Sequence, residues 1–396
     1  MARILIVASE YEPFQSSGIN RVKFIKSALE DMGHFVAVLT TNANAQGLKS
    51  EKMIDQTHNI YRVFGLSLFC RRILSSRRLP IYQSLAKTGK YAAWIPFAER
   101  KGIKLVRDLD IDTVFTSFPD FASLDVAKRV SKATGQRLII DFRDPPFWIY
   151  DVINTGNKQI EKCQRIVKEA IEASSFIITC TEQSFKALRH YYKFSVTNII
   201  IANGFDAEII DRIPSNRPVE QSYFEIIHIG SFYDKGRDMK PVISAIEENQ
   251  QYTDKKIRLR LIGDKPDKAT LNFIEQHAKN FEVSIEPAVA MIDALTISKN
   301  ADVLLLLQGD RFDRQIPTKV YEYLALNRPI WAVTGRNGET KKLLDAYSEN
   351  VIYSDYNNEK HIKKQFCKLF KFQAQIVDCE ELSRQSQIKR LMDLNL

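Results

Sequence analysis

The feature that most restricts what this 396-residue chain can fold into is a rhythm. An apolar run, "RILIVAS", is followed by a loop, "EYEPFQSSG", an amphipathic stretch, "INRVKFIKSALEDMG", and a second apolar run, "HFVAVLT". Strand-length runs separated by a helix-period pattern read as a βαβ unit, with Gly33 closing the helix. Similar runs return at "DTVFTSF" (112–118), "QRLIIDF" (136–142), "SSFIITC" (174–180) and "TNIIIAN" (197–203). Strands alternating with helices imply a largely parallel sheet covered on both faces.

Residues 207–222, "AEIIDRIPSNRPVEQS", are polar, carry two prolines and break the rhythm. They read as a linker. Beyond them the pattern restarts with "FEIIHIGS", "KIRLRLIGD", "FEVSIEP", "ADVLLLLQGD", "RPIWAVTG" and "NVIYS", with helices expected at 238–249, 267–279, 288–299, 317–326 and 338–347. The expected organisation is a first domain over 1–206, the linker 207–222, a second domain over 223–375, and a C-terminal helical segment, 376–396, that packs back on the first domain. A chain of this length with 44% apolar residues is enough for two cored domains. In open α/β sheets ligands bind beyond the carboxyl ends of the strands, so two such domains facing each other would share one cleft.

Several classes are excluded. "MARILIVASE" lacks the long apolar stretch and cleavage site of a signal peptide. No run approaches the roughly 20 apolar residues that span a bilayer. The five scattered cysteines show neither C-x-x-C nor zinc-like spacing, so reduced thiols and no metal site are expected. A cytoplasmic protein is the expectation. The net charge of +9 is uneven, because residues 71–107 hold Arg71, Arg72, Arg77, Arg78, Lys87, Lys90, Arg100, Lys101, Lys104 and Arg107 against Glu99. Arg100, Lys101, Lys104 and Arg107 fall on one helical face, with Trp94, Phe97, Ala98, Leu105 and Leu109 mostly on another. That pattern suits an anionic membrane surface on the inner face of the plasma membrane somewhat better than a solvated helix face. No nucleic-acid motif accompanies it, so no nucleic-acid partner is expected.

The strand-end loops hold the candidate chemistry. In "QIPTKVYEYLALNRPIWAV" (315–333), Pro317 fits the first helical position, and the free N–H groups after it make an anion site to which Lys319 adds a charge. Glu322, one turn deeper, suits the vicinal hydroxyls of a ribose, or it pairs with Lys319 at i, i+3 on the surface. In "HIGSFYDKGRDM" (228–239), Lys235 and Arg237 stand at a helix start, where two cations would neutralise a diphosphate. "EPFQSSGINR" places Gly18 where backbone can approach a ligand, yet it is not G-x-G-x-x-G. "DFRDPPFW" (141–148) offers Asp141, Arg143 and Asp144 in a loop, and Asp120 follows "TSFP". Asp144 and Asp120 are the candidate catalytic carboxylates, as a base or as ligands for acceptor hydroxyls.

Taken in order, "ILIVASEYEPFQSSGINRV", "SALEDMGHFVAVLTT", "FIITCTEQSFKALRHYY", "IIIANGFDAEII", "IHIGSFYDKGRDMKPVISAI", "ADVLLLLQGD" and "IPTKVYEYLALNRPIWAV" resemble retaining glycosyltransferases of the family-four (group 1) type with the GT-B fold. That resemblance implies two Rossmann-like domains, and a nucleotide-diphosphate sugar as co-substrate with no further cofactor. It implies donor contacts from Glu322 to the ribose and from Lys319, Lys235 or Arg237 to the diphosphate. Thr318 and Ser231 lie in the same loops, Val289 in the loop that meets the base, and Gly18 nears the diphosphate. The implied acceptor is a lipid-linked or membrane-proximal glycan, and the implied product a lipopolysaccharide, capsule or other glycoconjugate. Two departures stand out: Arg314 occupies the position where many members carry an earlier Glu, and "TSFPDFAS" has no histidine. They leave open a non-catalytic nucleotide-sugar-binding or scaffold subunit. A nucleotide-sugar 2-epimerase on the same fold would call for paired acids and histidines, which show at no motif spacing.

Overall fold

A computed structural model of the chain describes residues 1–12, 17–42, 59–64, 91–149, 158–214, 222–230 and 236–394. The chain divides into two compact units, Met1–Ile201 with Ile388–Leu396, and Ala202–Gln387.

The first unit contains β1 (Arg3–Val7), α1 (Ser17–Asp31), β2 (Phe35–Thr41), β3 (Ile60–Val63), α2 (Ile95–Asp108), β4 (Thr113–Phe118), α3 (Phe121–Thr134), β5 (Arg137–Phe142), α4 (Lys158–Ala173), β6 (Phe176–Thr179), α5 (Glu182–Tyr192) and β7 (Thr197–Ile200). Its strands pair in the order β3-β2-β1-β4-β5-β6-β7, all parallel. Period-two alternation decides which helix layer each side chain meets. Leu5 and Val7 of β1 join the core that holds α2, α3 and α4, while Ile4 and Ile6 join the opposite one with Val22 and Ile25 of α1. Ile388, Leu391 and Leu394 from the end of the chain are buried in that second core.

The second unit contains α6 (Ala207–Asp211), β8 (Tyr223–Gly230), α7 (Lys240–Glu247), β9 (Lys256–Gly263), α8 (Lys268–His277), β10 (Glu282–Pro287), α9 (Met291–Asn300), β11 (Val303–Gln308), α10 (Thr318–Ala325), β12 (Ile330–Thr334), α11 (Glu339–Asp345), β13 (Val351–Asp355), α12 (Glu359–Phe366) and α13 (Arg384–Ile388), the last crossing the division at its final residue. Its strands run parallel in the order β10-β9-β8-β11-β12-β13. The continuous run "VLLLLQ" of β11 is buried throughout, Val303, Leu305 and Leu307 on one side and Leu304 and Leu306 on the other. Each fully buried aliphatic contributes about 1.5–3 kcal/mol, which favours a doubly covered sheet over any half-solvated arrangement.

Four sequence expectations are corrected. The polar segment from 207 does not begin as a linker: α6 packs Ile209 and Ile210 against the second core, and Ile213 after it is buried there. Strand β3 was not expected, because "IYRV" is half-buried and lacks a long apolar run. The helical segment expected at 376–396 is broken into 3₁₀ turns at Glu380–Leu382 and Lys389–Leu394 around the short α13. Finally, Asp141 is the penultimate residue of β5, wholly buried, and not part of a loop.

Candidate functional site

In both sheets the strand order reverses once, between β1 and β4 and between β8 and β11, and crevices open at such switch points. In the second unit β8 and β9 end on the paired glycines Gly230 and Gly263, with φ of 128° and 145°. Both values are in the left-handed half of the map, where a side chain is strained. Close approach excludes one as well: a Cβ on Gly263 would stand 2.3 Å from the Gly230 carbonyl oxygen, and one on Gly230 2.7 Å from Lys319 Nζ. Gly263 thus makes room for the Gly230 backbone, and Gly230 for the Lys319 ammonium, which donates to the Ile229 carbonyl.

Lys319 is the second residue of α10. Pro317 is its N-cap, not its first helical residue: ψ of 144° holds it extended, and Thr318 opens the helix. Burial and the nearby Arg237 guanidinium pull the Lys319 ammonium down to about 7, against the opposing pull of Glu322. The same two cations, after burial, keep His228 neutral, its Nδ1 3.0 Å from the Leu305 carbonyl. Arg237 is placed by Phe312: its guanidinium lies 5.0 Å from the ring centre, and the neighbouring Gly236 carbonyl accepts from Gly309 N at 2.7 Å. Two half-buried cations held this close repel each other, an arrangement that an anion between them would relieve.

Glu322, one turn further along α10, is half-buried, and its carboxylate makes no hydrogen bond or ion pair with a described residue. Burial pushes its carboxyl upward, while Arg384 and then Lys319 favour the charged form. The loop leading into α10 is tied down from below. Gln308 Nε2 donates to the Phe312 and Gln315 carbonyls at 2.8 and 3.0 Å, and Thr340 Oγ1 to Gln308 Oε1 and to the Gln315 carbonyl at 3.1 Å each. Asp310 and Asp313 of this loop face the Gly335 turn, where a Cβ would meet an oxygen of each at 2.4 Å. Burial, then Asp310, raises Asp313 to about 6.

The first unit has a cavity of about 460 Å³ at its own switch point, lined among others by Ser9, Glu10, Tyr91, Ser117, Asp120 and Arg143. Glu10 follows β1 and accepts from Tyr91 Oη at 2.6 Å. Asp120 caps α3, accepting from Ala122 N at 3.3 Å, from Ser123 N at 2.9 Å and from Ser123 Oγ, so both its oxygens are engaged. Arg143 lies against Gly18 in the first turn of α1, where a Cβ would meet its Nη1 at 2.5 Å, and it pairs with Asp144 at 3.1 Å. Beneath the cavity Arg21 grips Asp141 with two 2.8 Å bonds, and Ser117 Oγ adds a third at 2.7 Å.

Solved structures align with 99–100% of the chain at low sequence identity. HepE of Anabaena in complex with UDP aligns with a TM-score of 0.65 at 12% identity, covering 100% of this chain and 99% of that one. Sucrose-phosphate synthase from Thermosynechococcus elongatus gives 0.61 at 10% identity, over 100% and 98%. The chain has the GT-B fold. A UDP-N-acetylglucosamine 2-epimerase from Listeria monocytogenes is more distant, at 0.51 and 10% identity over 99% and 94%. No family model and no curated protein matches the sequence.

In GT-B terms the first unit is the amino-terminal Rossmann-like domain and the second the carboxy-terminal one. The carboxy-terminal domain brings Lys319, Arg237, Thr318 and Glu322 to one end of its sheet, while Val289 lies 40% exposed in the loop between β10 and α9. Ser231 and Lys235, and the basic residues from Arg71 to Lys90, lie outside the described residues. Sequence reasoning missed Glu10, which lies three residues past the end of β1 and could have been found by that position. It also missed Tyr91, Phe312 and Arg384, which carry no local signal. Of the basic face, Arg100, Lys104 and Arg107 are exposed and Trp94, Ala98 and Leu105 buried. Phe97 departs from its expected face: it is 41% exposed and meets Phe64 edge-on at 5.7 Å.

Proposed function

We propose that the protein is a retaining glycosyltransferase that takes a sugar from a nucleoside-diphosphate donor bound by the second unit. The acceptor, held by the first unit, is a hydroxyl of a lipid-linked or membrane-proximal glycan in cell-surface polysaccharide or glycoconjugate synthesis. The observation that carries this reading is the pair of mutually repelling cations, Lys319 and Arg237, with Glu322 one turn beyond Lys319 on α10, its carboxylate forming no hydrogen bond or ion pair among the described residues. Lys319, Arg237 and Lys235 meet the diphosphate, Glu322 the ribose hydroxyls, and the loop of Val289 the base. HepE binds UDP, which makes uridine the first base to try.

The chemistry follows from charge. The bond from the anomeric carbon to the diphosphate oxygen breaks with its electron pair leaving on the diphosphate. Lys319 and Arg237 stabilise that developing charge, and a bound diphosphate restores the proton that burial loosens on Lys319. The acceptor oxygen bonds to the same face of the sugar and its proton passes to the departing diphosphate oxygen. Glu10, Asp120 and Arg143 in the first-unit cavity suit acceptor hydroxyls, with Asp144 paired to Arg143. The exposed Phe97 beside Arg100, Lys104 and Arg107 supports docking on an anionic membrane. Among the described residues no helix is long and apolar enough to cross one.

Thermal unfolding with uridine, guanosine, adenosine and thymidine diphosphates tests the reading. A ligand at 100 times its dissociation constant stabilises by about 2.7 kcal/mol, so one of the four should raise the transition by several degrees. No shift with any of them would refute it. A nucleotide-sugar 2-epimerase is the second reading, supported by the Asp310–Asp313 acid pair and the Listeria likeness. It predicts an epimerised nucleotide sugar where a transferase yields nucleoside diphosphate and a lengthened glycan. A binding or scaffold subunit would release neither.

A further inference from the structure

We propose that Tyr356, the first residue beyond β13, is the positioning residue that fixes Arg237 for the donor's diphosphate. The proposal rests on the reading of Arg237 as a diphosphate ligand.

Arg237 is held through both of its neighbours in the chain. On one side the Gly236 carbonyl accepts from Gly309 N at 2.7 Å, and on the other Asp238 N donates to Tyr356 Oη at 3.1 Å. The two anchors touch each other. A Cβ on Gly309 would stand 2.6 Å from Tyr356 Cε1 and 2.8 Å from its Cζ, so the missing side chain at 309 is what seats the ring. Phe312 completes the frame. Its N–H donates to the Gly309 carbonyl at 3.0 Å, and its ring lies against Gly236, where a Cβ would meet Cε2 at 2.9 Å. Over that ring, 5.0 Å from its centre, stands the Arg237 guanidinium.

Both ends of this frame are rigid. Tyr356 N donates to the Thr334 carbonyl at 3.0 Å, which extends the pairing of β12 with β13, and its ring packs on the core beneath α7. Beyond Arg237, Asp238 Oδ1 accepts from Lys240 N at 3.0 Å, and Met239 is buried in the same core. Each peptide is planar, so fixing the one before Arg237 and the one after it leaves its Cα–Cβ bond little choice of direction. An arginine loses much rotamer freedom when it is ordered, and a main chain and ring that pre-order it remove that cost from binding.

The hydroxyl is the part of Tyr356 that points to function. The ring alone fills the space over Gly309; what the hydroxyl adds is the bond to the amide beside Arg237.

The test is calorimetric titration of the intact protein with UDP, GDP, ADP and thymidine diphosphate, and of the tightest binder against its own nucleoside by displacement. The ratio of the two affinities reads the phosphate contacts. Arg237→Gln should lower that ratio about tenfold, the worth of one charge-assisted hydrogen bond. Tyr356→Phe, which keeps the ring and loses the hydroxyl, should lower it about threefold or more, and the double variant no further than Arg237→Gln alone. Gly309→Ala, whose methyl displaces the same ring, takes its place if Tyr356→Phe fails to fold, with the same expected fall. A Tyr356→Phe protein, or in its place a folded Gly309→Ala protein, that keeps the parent ratio would reduce Tyr356 to a structural residue and overturn the inference alone. Multiplying losses in the double variant would also overturn it alone. An Arg237→Gln protein with an unchanged ratio, or no binding by any of the diphosphates, would overturn the diphosphate reading and this inference with it.

Discussion

Lys319 donates its ammonium to the Ile229 carbonyl and leaves Glu322, three residues along the same helix, without an ion pair among the described residues. An i, i+3 pair at a helix surface contributes about 0.2–0.5 kcal/mol and is easily formed. Here the two charges do not pair: Lys319 turns to the carbonyl near the end of β8, and both side chains are half-buried. That divergence is what a ligand with an anionic part and a hydroxylated part requires.

Lys319 should oppose stability while serving binding. The unfolded chain holds this proton up to about 10.5 and the folded chain releases it near 7, so between those values the unfolded state binds more protons. Stability then rises with pH across that window, and the cost of the buried charge is fully present below 7. Lys319→Met should raise the melting temperature at pH 6 by a few degrees and weaken diphosphate binding tenfold or more. Scanning calorimetry and titration on the same samples check both.

Binding itself should fall with pH. As the free Lys319 ammonium deprotonates above about 7, diphosphate affinity should drop by up to tenfold per pH unit in the parent protein and stay flatter in Lys319→Met. Titrations at pH 6, 7, 8 and 9 read this directly.

The two strand-end glycines should fail differently. In Gly263→Ala the new methyl meets a backbone carbonyl at 2.3 Å with φ at 145°, so a loss of a few kcal/mol in denaturant unfolding is expected. In Gly230→Ala the obstacle is the movable end of Lys319, so a smaller stability loss with a larger loss of ligand affinity is expected.

How much of this could be read from residues alone depends on range. The β11 run and the β1 alternation announce buried parallel strands because burial on both faces needs nothing beyond local composition. Lys319 and Glu322 stood out because charges in the first turns of a core helix break the local rule. Tyr91 could not, since it reaches Glu10 across 81 residues of chain. Asp141 misled for the same reason: beside Arg143 and Asp144 it looks like a loop acid, and only Arg21, 120 residues earlier, explains it as a buried strand residue.

That Arg21–Asp141 pair makes its own prediction. Both side chains are under a tenth exposed, and Asp141→Ala would leave a buried guanidinium uncompensated. A loss of about 3–5 kcal/mol in urea unfolding is expected, against nearly none for Asp144→Ala at the exposed rim.

Membrane docking is open to a vesicle test. Reversing Arg100, Lys104 and Arg107 to Glu removes roughly 3 kcal/mol of attraction, so partitioning to anionic vesicles should fall about a hundredfold. Unchanged partitioning would make this a solvated helix face.

The central claim is that the end of the second sheet binds a nucleoside diphosphate through Lys319 and Glu322. Isothermal titration of UDP into the parent protein, Lys319→Met and Glu322→Gln tests it most directly. The account predicts saturable binding that weakens tenfold or more in each variant. Binding unchanged by either substitution, or no binding of UDP, GDP, ADP or thymidine diphosphate to the parent, would contradict it.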